Sequence, residues 1–209
     1  MEVTITKLVQ ACLLVETDGS KILIDPGIFT LQDERFDFSM VEGVDRILIT
    51  HEHADHASVE IVAAALERSN DAQVETTDAM KDILAESNID SATFGTPQFP
   101  APHERLPTGP GPQNTGFHIA GVLSHPGDSH SFVETMPILA MPFASPWGSV
   151  VAAVDRTRLV NPRIVIPIHD WFWSLDGRDF MYGLVQAGLD GSDIELVVVD
   201  DFESVTFSV

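Results

Sequence analysis

Residues 50–56 read Thr-His-Glu-His-Ala-Asp-His, a compact and chemically specific metal-binding cluster. His51, His53 and His56 each offer a neutral imidazole nitrogen, and Asp55 offers a hard carboxylate oxygen. Imidazole combined with carboxylate suits zinc, and also manganese or iron. His51 and His53 stand at i and i+2, so on extended or loop backbone they project the same way and can grip one ion. Asp55 and His56 lie past the bend and can address a second. The competing reading, a solvated His-rich turn, fits poorly with so many ligand types in so few residues.

Catalytic zinc sites use about three protein ligands and keep a position open for water. Further ligands are therefore expected elsewhere, and three residues at segment ends qualify. His103 sits in the loop Ala101-Pro102-His103-Glu104, Asp128 follows Pro126-Gly127, and His169 ends the run Ile164-Val165-Ile166-Pro167-Ile168. Taken singly, each has a plain alternative: a surface loop histidine, a turn aspartate, a strand-ending histidine. Their shared placement raises all three.

Weaker candidates surround them. Trp147, Trp171, Phe172 and Trp173 flank the pocket loops and could wall a small-molecule substrate, against the alternative of core or interface packing. His130 could hydrogen-bond substrate or a leaving group, and Arg105 could hold an anionic group. His118 and His125 lie in a strand-like run and read as structural histidines. Cys12, the only cysteine, excludes an intramolecular disulfide and reads as a small buried hydrophobe.

The elements that must position these groups follow from periodicity. Residues 3–8 alternate apolar and polar, as a half-buried strand does. Residues 11–15 and 21–24 read as the next strands, with a turn at Asp18-Gly19, and Asp25-Pro26-Gly27 stops the second. Residues 46–50 form a β-rich run that ends at the histidine cluster. Residues 58–68 have helical spacing, with Ser58 placed to cap them. Strands are further expected over 74–76, 116–124, 137–141, 163–168, 194–199 and 204–209, and helices over 79–87, 147–159 and 179–187. Between them, 95–116 is a loop rich in proline and glycine, of a length often functional. Helices interspersed among strands, with chemistry at strand ends, predict a layered α/β architecture in which a rigid sheet presents loop residues.

The chain has 209 residues, of which 44% are hydrophobic, enough for a sizeable core in one domain spanning 1–209. No apolar run reaches the roughly 18–20 residues of a membrane span, and the first residues lack signal-peptide layout, so a cytoplasmic protein without a membrane partner is expected. The net charge of −21, from 32 acidic and 11 basic residues, argues against nucleic acid as partner. It also leaves few positive groups for a phosphorylated substrate. A homo-oligomer remains compatible with this composition.

His51-x-His53-x-Asp55-His56, preceded by Ile24-Asp25-Pro26-Gly27 and followed by His103, Gly127-Asp128 and His169, resembles the metallo-β-lactamase superfamily. Its small bacterial metal-dependent hydrolases, including the L-ascorbate-6-phosphate lactonase-like proteins, are the most similar branch. The resemblance runs along nearly the whole chain. It implies an αββα sandwich, two mixed sheets face to face with helices outside, and a dinuclear site. His51, His53 and His103 would hold one divalent ion, Asp55, His56 and His169 the other, with Asp128 between them. Zinc is the first expectation, with manganese or iron admitted. Asp25 would hydrogen-bond the ligand loop and fix its orientation.

The expected activity is hydrolysis of a small ester, lactone, amide or phosphoester by hydroxide generated at the two ions, with Asp55 also orienting the nucleophile or relaying its proton. A non-hydrolytic iron oxidoreductase, dioxygenase-like, and a metal-binding regulatory protein are the alternatives. The sequence departs from the pattern at Ala57-Ser58, where glycine is frequent, and at Ser129, where threonine is commoner. It departs again over Pro142-Phe143-Ala144-Ser145-Pro146-Trp147-Gly148, which lacks the Thr-Met-Gly of similar chains.

Overall fold

A computed structural model describes residues 2–91 and 95–208. Met1, and Val209 at the end of the strand expected over 204–209, lie outside the described residues. The chain divides into two compact units, residues 1–96 with 199–209, and residues 97–198.

The first unit is built on strands β1 (Glu2–Lys7), β2 (Leu13–Thr17), β3 (Ser20–Ile24), β4 (Arg46–Ile49) and β5 (Gln73–Thr76), with helices α1 (Ile28–Gln32), α2 (Val59–Glu67) and α3 (Asp78–Glu86). The last strand of the chain, β12 (Ser204–Ser208), completes its sheet in the order β12-β1-β2-β3-β4-β5. Pairing is antiparallel from β12 to β3 and parallel from β3 to β5. The apolar alternation of β1 appears as alternating burial, while the apolar run of β4 is buried on both faces after Arg46, as parallel strands are. Leu23, Ile47, Ile49 and Val74 of the sheet meet Ile61, Val62 and Ala65 of α2 and Met80 and Leu84 of α3 in one buried cluster. Each of the Leu, Ile, Val and Met side chains contributes roughly 1.5–3 kcal/mol relative to exposure, so the end of β4 is a rigid base for the histidine cluster. Ser58 caps α2 as expected, its side chain accepting from Ile61 N.

The second unit has β6 (Gln98–Phe99), β7 (Gly116–Ile119), β8 (Leu123–His125), β9 (Ile138–Pro142), β10 (Ile164–Ile168) and β11 (Glu195–Leu196), with helices α4 (Val150–Val160) and α5 (Leu175–Leu189). The sheet order is β11-β10-β9-β8-β7-β6. It too is mixed: β6 to β8 pair antiparallel and β8 to β11 parallel. β9 and β10 are buried along their whole length. Leu139, Met141 and Val165 meet Ala153 of α4 and Val185 and Leu189 of α5 in its core. The architecture is therefore α/β, with two mixed sheets and their helices, as expected.

Three expectations are corrected. Residues 116–124 are not one strand but a hairpin, turning at Ala120 (φ 51°) and Gly121 (φ 69°). Two positive-φ residues make the tight turn whose twist suits a hairpin; an alanine there carries no turn signature. The helix expected from Trp147 begins at Val150, because Ser149 caps it by accepting from Ala152 N. Trp147 is thereby left in the preceding loop. The strand expected over 194–199 is reduced to Glu195–Leu196. Among the described residues no helix is long and apolar enough to cross a membrane.

Candidate metal centre

In the first unit the candidate ligand residues occupy a turn just beyond β4, closed by His56 N and Ala57 N donating to His53 O, each at 2.9 Å. The Asp25-Pro26-Gly27 segment is laced to this turn: Ile28 N donates to Ala54 O at 2.7 Å and Ser58 N to Pro26 O at 2.7 Å. The approach is so close that a Cβ on Gly27 would stand 1.8 Å from Asp55 O. Only glycine fits there.

Asp25 is the hub. Fully buried, it accepts from Thr50 N on Oδ1 (2.8 Å), and from Thr50 Oγ1 (2.8 Å) and His56 Nδ1 (2.7 Å) on Oδ2. Because Thr50 gives its proton to Asp25, its oxygen accepts from His51 Nδ1, 3.0 Å away. One carboxylate thus sets the tautomers of two imidazoles and presents Nε2 of each as the candidate ligand atom. These bonds also hold Asp25 at φ 46°, a left-handed conformation that costs on the order of 1–3 kcal/mol. His51 Nε2 lies 3.0 Å from His53 Nδ1, and Asp55 Oδ2 lies 3.6 Å from His56 Nε2. The buried Gln10 donates through Nε2 to Asp55 Oδ2 at 3.1 Å.

The second unit brings His103, Asp128 and His169 together. Asp128 puts Oδ2 3.4 Å from His103 Nε2 and Oδ1 3.1 Å from His169 Nε2. The two imidazoles are oriented by backbone: His103 Nδ1 donates to Glu104 O at 2.6 Å, and His169 Nδ1 to Ala144 O at 2.5 Å. Glu104 N donates to Asp128 O at 3.0 Å, which ties the His103 loop to the Asp128 turn. Asn114 braces both, donating to Ala101 O and Pro126 O and accepting from Asp128 N. His169, at φ 61°, is a second left-handed ligand-region residue. Its backbone is secured by Ala144 N donating to His169 O at 3.2 Å.

The donor sets fit metal ions. Two ligands about 2.0–2.2 Å from one tetrahedral ion stand roughly 3.3–3.6 Å apart, and the pairs His51–His53, Asp55–His56, His103–Asp128 and Asp128–His169 span 3.0–3.6 Å. His51 with His53, Asp55 with His56, and His103 with Asp128 each belong to groups able to hold a metal ion. In four of the five histidines Nδ1–H is held by an oxygen, the arrangement typical of metal-ligating imidazoles.

The weaker candidates separate. Trp147 is no simple apolar wall: its indole Nε1 donates to Asp128 Oδ2 at 2.7 Å, and its ring lies edge-on among His103, His130 and His169. His130 is buried and donates through Nε2 to Pro142 O at 2.9 Å; burial pushes its imidazole below the ordinary range. Trp171 is exposed and meets Phe172 edge to face. Phe172, also exposed, stacks on His169. Trp173 packs into the second core. Arg105 shares a cleft of about 490 Å3 with His103. His118 and His125 are buried in β7 and β8, His118 bonded to Ser124 Oγ and stacked on Phe99. Burial also pushes the Cys12 thiol up. Gln10, Asn114 and the carbonyls of Glu104 and Ala144 escape a reading of the sequence. Only Thr50, beside His51, lay within the motif.

A family model described as the β-lactamase superfamily domain matches residues 4–169. Protein Rv0786c of Mycobacterium tuberculosis (strain ATCC 25618 / H37Rv) is 28% identical over 219 residues, covering 97% of this chain and 99% of that one. UPF0173 protein PYRAB01190 of Pyrococcus abyssi (strain GE5 / Orsay) is 32% identical over 180 residues, 76% of this chain and 79% of that one. Among solved structures, Igni18, a metallo hydrolase from the hyperthermophilic archaeon Ignicoccus hospitalis KIN4/I, superposes with a TM-score of 0.74 at 20% identity, over 100% of both chains. With two mixed sheets and oriented His/Asp sets at strand ends, the chain belongs to the metallo-β-lactamase superfamily.

Proposed function

We propose that this chain is a metal-dependent hydrolase of small esters, lactones, amides or phosphoesters. In this reading His51, His53 and His103 hold one divalent ion, zinc first, and Asp55, His56 and His169 a second, with Asp128 shared. The observation that carries it is the orientation of the imidazoles: Nδ1 of His51, His56, His103 and His169 is held by Thr50, Asp25, Glu104 O and Ala144 O, which leaves Nε2 as the ligand atom in each. Asp128, reaching toward both His103 and His169, has the geometry of a shared ligand.

Bound there, a pair of divalent cations supplies a water acidified to near-neutral pKa and positive charge for the developing oxyanion. The chain's own groups do the positioning. Asp25 and Thr50 hold Nδ1 of two imidazoles and so direct Nε2 of each as the ligand atom. Gln10 holds one oxygen of Asp55, so the carboxylate keeps a fixed direction from which to orient the attacking water or relay its proton. Trp147 does the same for Asp128. The Igni18 neighbour supports hydrolysis as the reaction class, and the motif also resembles that of the small bacterial hydrolases of the lactonase-like branch.

The test is elemental analysis of protein purified without added metal, followed by ester, lactone, thioester, phosphodiester and β-lactam panels. Two equivalents of zinc or manganese with turnover on one panel are expected. One equivalent of iron with redox activity and no hydrolysis would overturn the proposal in favour of an oxidoreductase.

A further inference from the structure

Within the second unit, a cleft of about 390 Å3 is lined by Trp147, with His130, Gly148, Ala152 and Asp155 also in its lining. Its polar groups are mostly hydrogen-bond acceptors. The Trp147 N–H is committed to Asp128 Oδ2, so this side chain offers the cleft only its ring. His130 is 7% exposed, and its Nε2–H is committed to Pro142 O; Nδ1 therefore carries the lone pair. A Cβ on Gly148 would stand 2.7 Å from His130 Cε1 and 3.1 Å from Nδ1, so the glycine keeps the space before this ring edge open.

Two carboxylates join it. Glu104 uses Oε1 to accept from His130 N and Ser131 Oγ, which leaves its second oxygen available, and Asp155 stands exposed on α4. The single cation of the lining, Arg156, has Nη1 anchored on Phe132 O at 2.6 Å.

An aromatic face, a buried imidazole lone pair and two carboxylates outnumbering one guanidinium select a ligand that is a donor and a cation. We infer that this cleft binds an organic ammonium group, with its apolar body against Trp147 and Ala152 and its N–H donors directed to His130 Nδ1, Glu104 and Asp155. Trp147 links the cleft to Asp128 through one hydrogen bond. Resting on the hydrolase proposed above, the cleft takes the amine-bearing end of an ester, lactone or amide substrate.

The test is calorimetric titration of the full chain, at physiological salt, with 2-phenylethylammonium, its neutral isostere 2-phenylethanol and the anion 3-phenylpropionate. Saturable binding of the ammonium at one equivalent is expected, with the alcohol about tenfold weaker and the anion not bound. Asp155→Asn and Ala152→Leu, both at exposed helix positions, should each weaken the ammonium about tenfold or more with unchanged melting temperature. Equal affinity for the alcohol, or ammonium binding unchanged in both variants, would overturn the inference, the latter because it marks attraction to the acidic surface at large. Metal content is measured on the same preparations. Ammonium binding without metal would sink the hydrolase and leave the cleft; metal without ammonium binding would sink the cleft alone.

Discussion

The two units hold their ligand residues in opposite ways. In the first, four candidate ligands lie within residues 51–56, and side chains orient them: Asp25 and Thr50 fix His51 and His56, and Gln10 fixes Asp55. In the second, His103, Asp128 and His169 come from three separate segments, and the imidazoles are oriented by the carbonyls of Glu104 and Ala144. A side-chain hub is economical, since one carboxylate serves two ligands, but it concentrates the vulnerability. Carbonyl acceptors spread the task over the backbone, where no single substitution removes them.

That contrast can be broken most severely at the ligands themselves. His51→Ala should lose bound metal and hydrolysis together while far-UV circular dichroism stays native; full activity in this variant would refute the site assignment. Next is the hub. Asp25→Ala strands three buried donors, each costing about 1–3 kcal/mol, so urea unfolding should show a loss of at least about 3 kcal/mol and metal should be lost from both His51 and His56. By contrast, Ala144→Ser keeps the carbonyl that orients His169 and should retain metal; a collapse there as deep as in Asp25→Ala would erase the proposed difference between the units.

Trp147→Phe probes a side-chain donor on the Asp128 carboxylate. It keeps the ring but removes the N–H from Asp128, and metal affinity measured against a competing chelator should fall about tenfold, at the low end for partners that orient ligands. The smallest effect concerns pH. Burial, opposed by the Glu134 carboxylate, holds His118 below its ordinary range, so below about pH 6.5 the unfolded chain binds a proton that the folded chain refuses. Stability should therefore fall as pH drops through and below that value. In metal-free protein, His118→Gln should lose less of its urea midpoint between pH 7.5 and 5.5 than the parent does. Cys12, buried with its thiol pushed up, should resist a thiol reagent in native protein and react on unfolding.

The same contrast explains what was legible beforehand. The cluster at 51–56 could be read directly because its ligands are neighbours in the chain and its strand, β4, is an uninterrupted apolar run. His103, Asp128 and His169 could be proposed only from their order and their places at segment ends. Apolar periodicity places the start of α4 three residues early, since it does not see that Ser149 caps the helix. That error hid the chemistry of Trp147, which as a loop residue reaches Asp128. The 116–124 hairpin was missed for a related reason, an alanine occupying a turn position that usually announces itself with glycine or asparagine.

The sequence by itself determined the candidate ligand types and the layered α/β class, which rest on side-chain chemistry and on the periods of strand and helix, while the family followed from the resemblance of the 51–56 motif and the residues that come after it in order. Only the tertiary structure decided which nitrogen of each imidazole its hydrogen bonds leave as the candidate ligand atom, and that Asp128 reaches toward two histidines at once. It also revealed the acceptor-rich cleft that Trp147 helps to line. Those facts depend on backbone carbonyls, left-handed residues and contacts between segments dozens of residues apart, none of which leaves a mark in residue type or spacing.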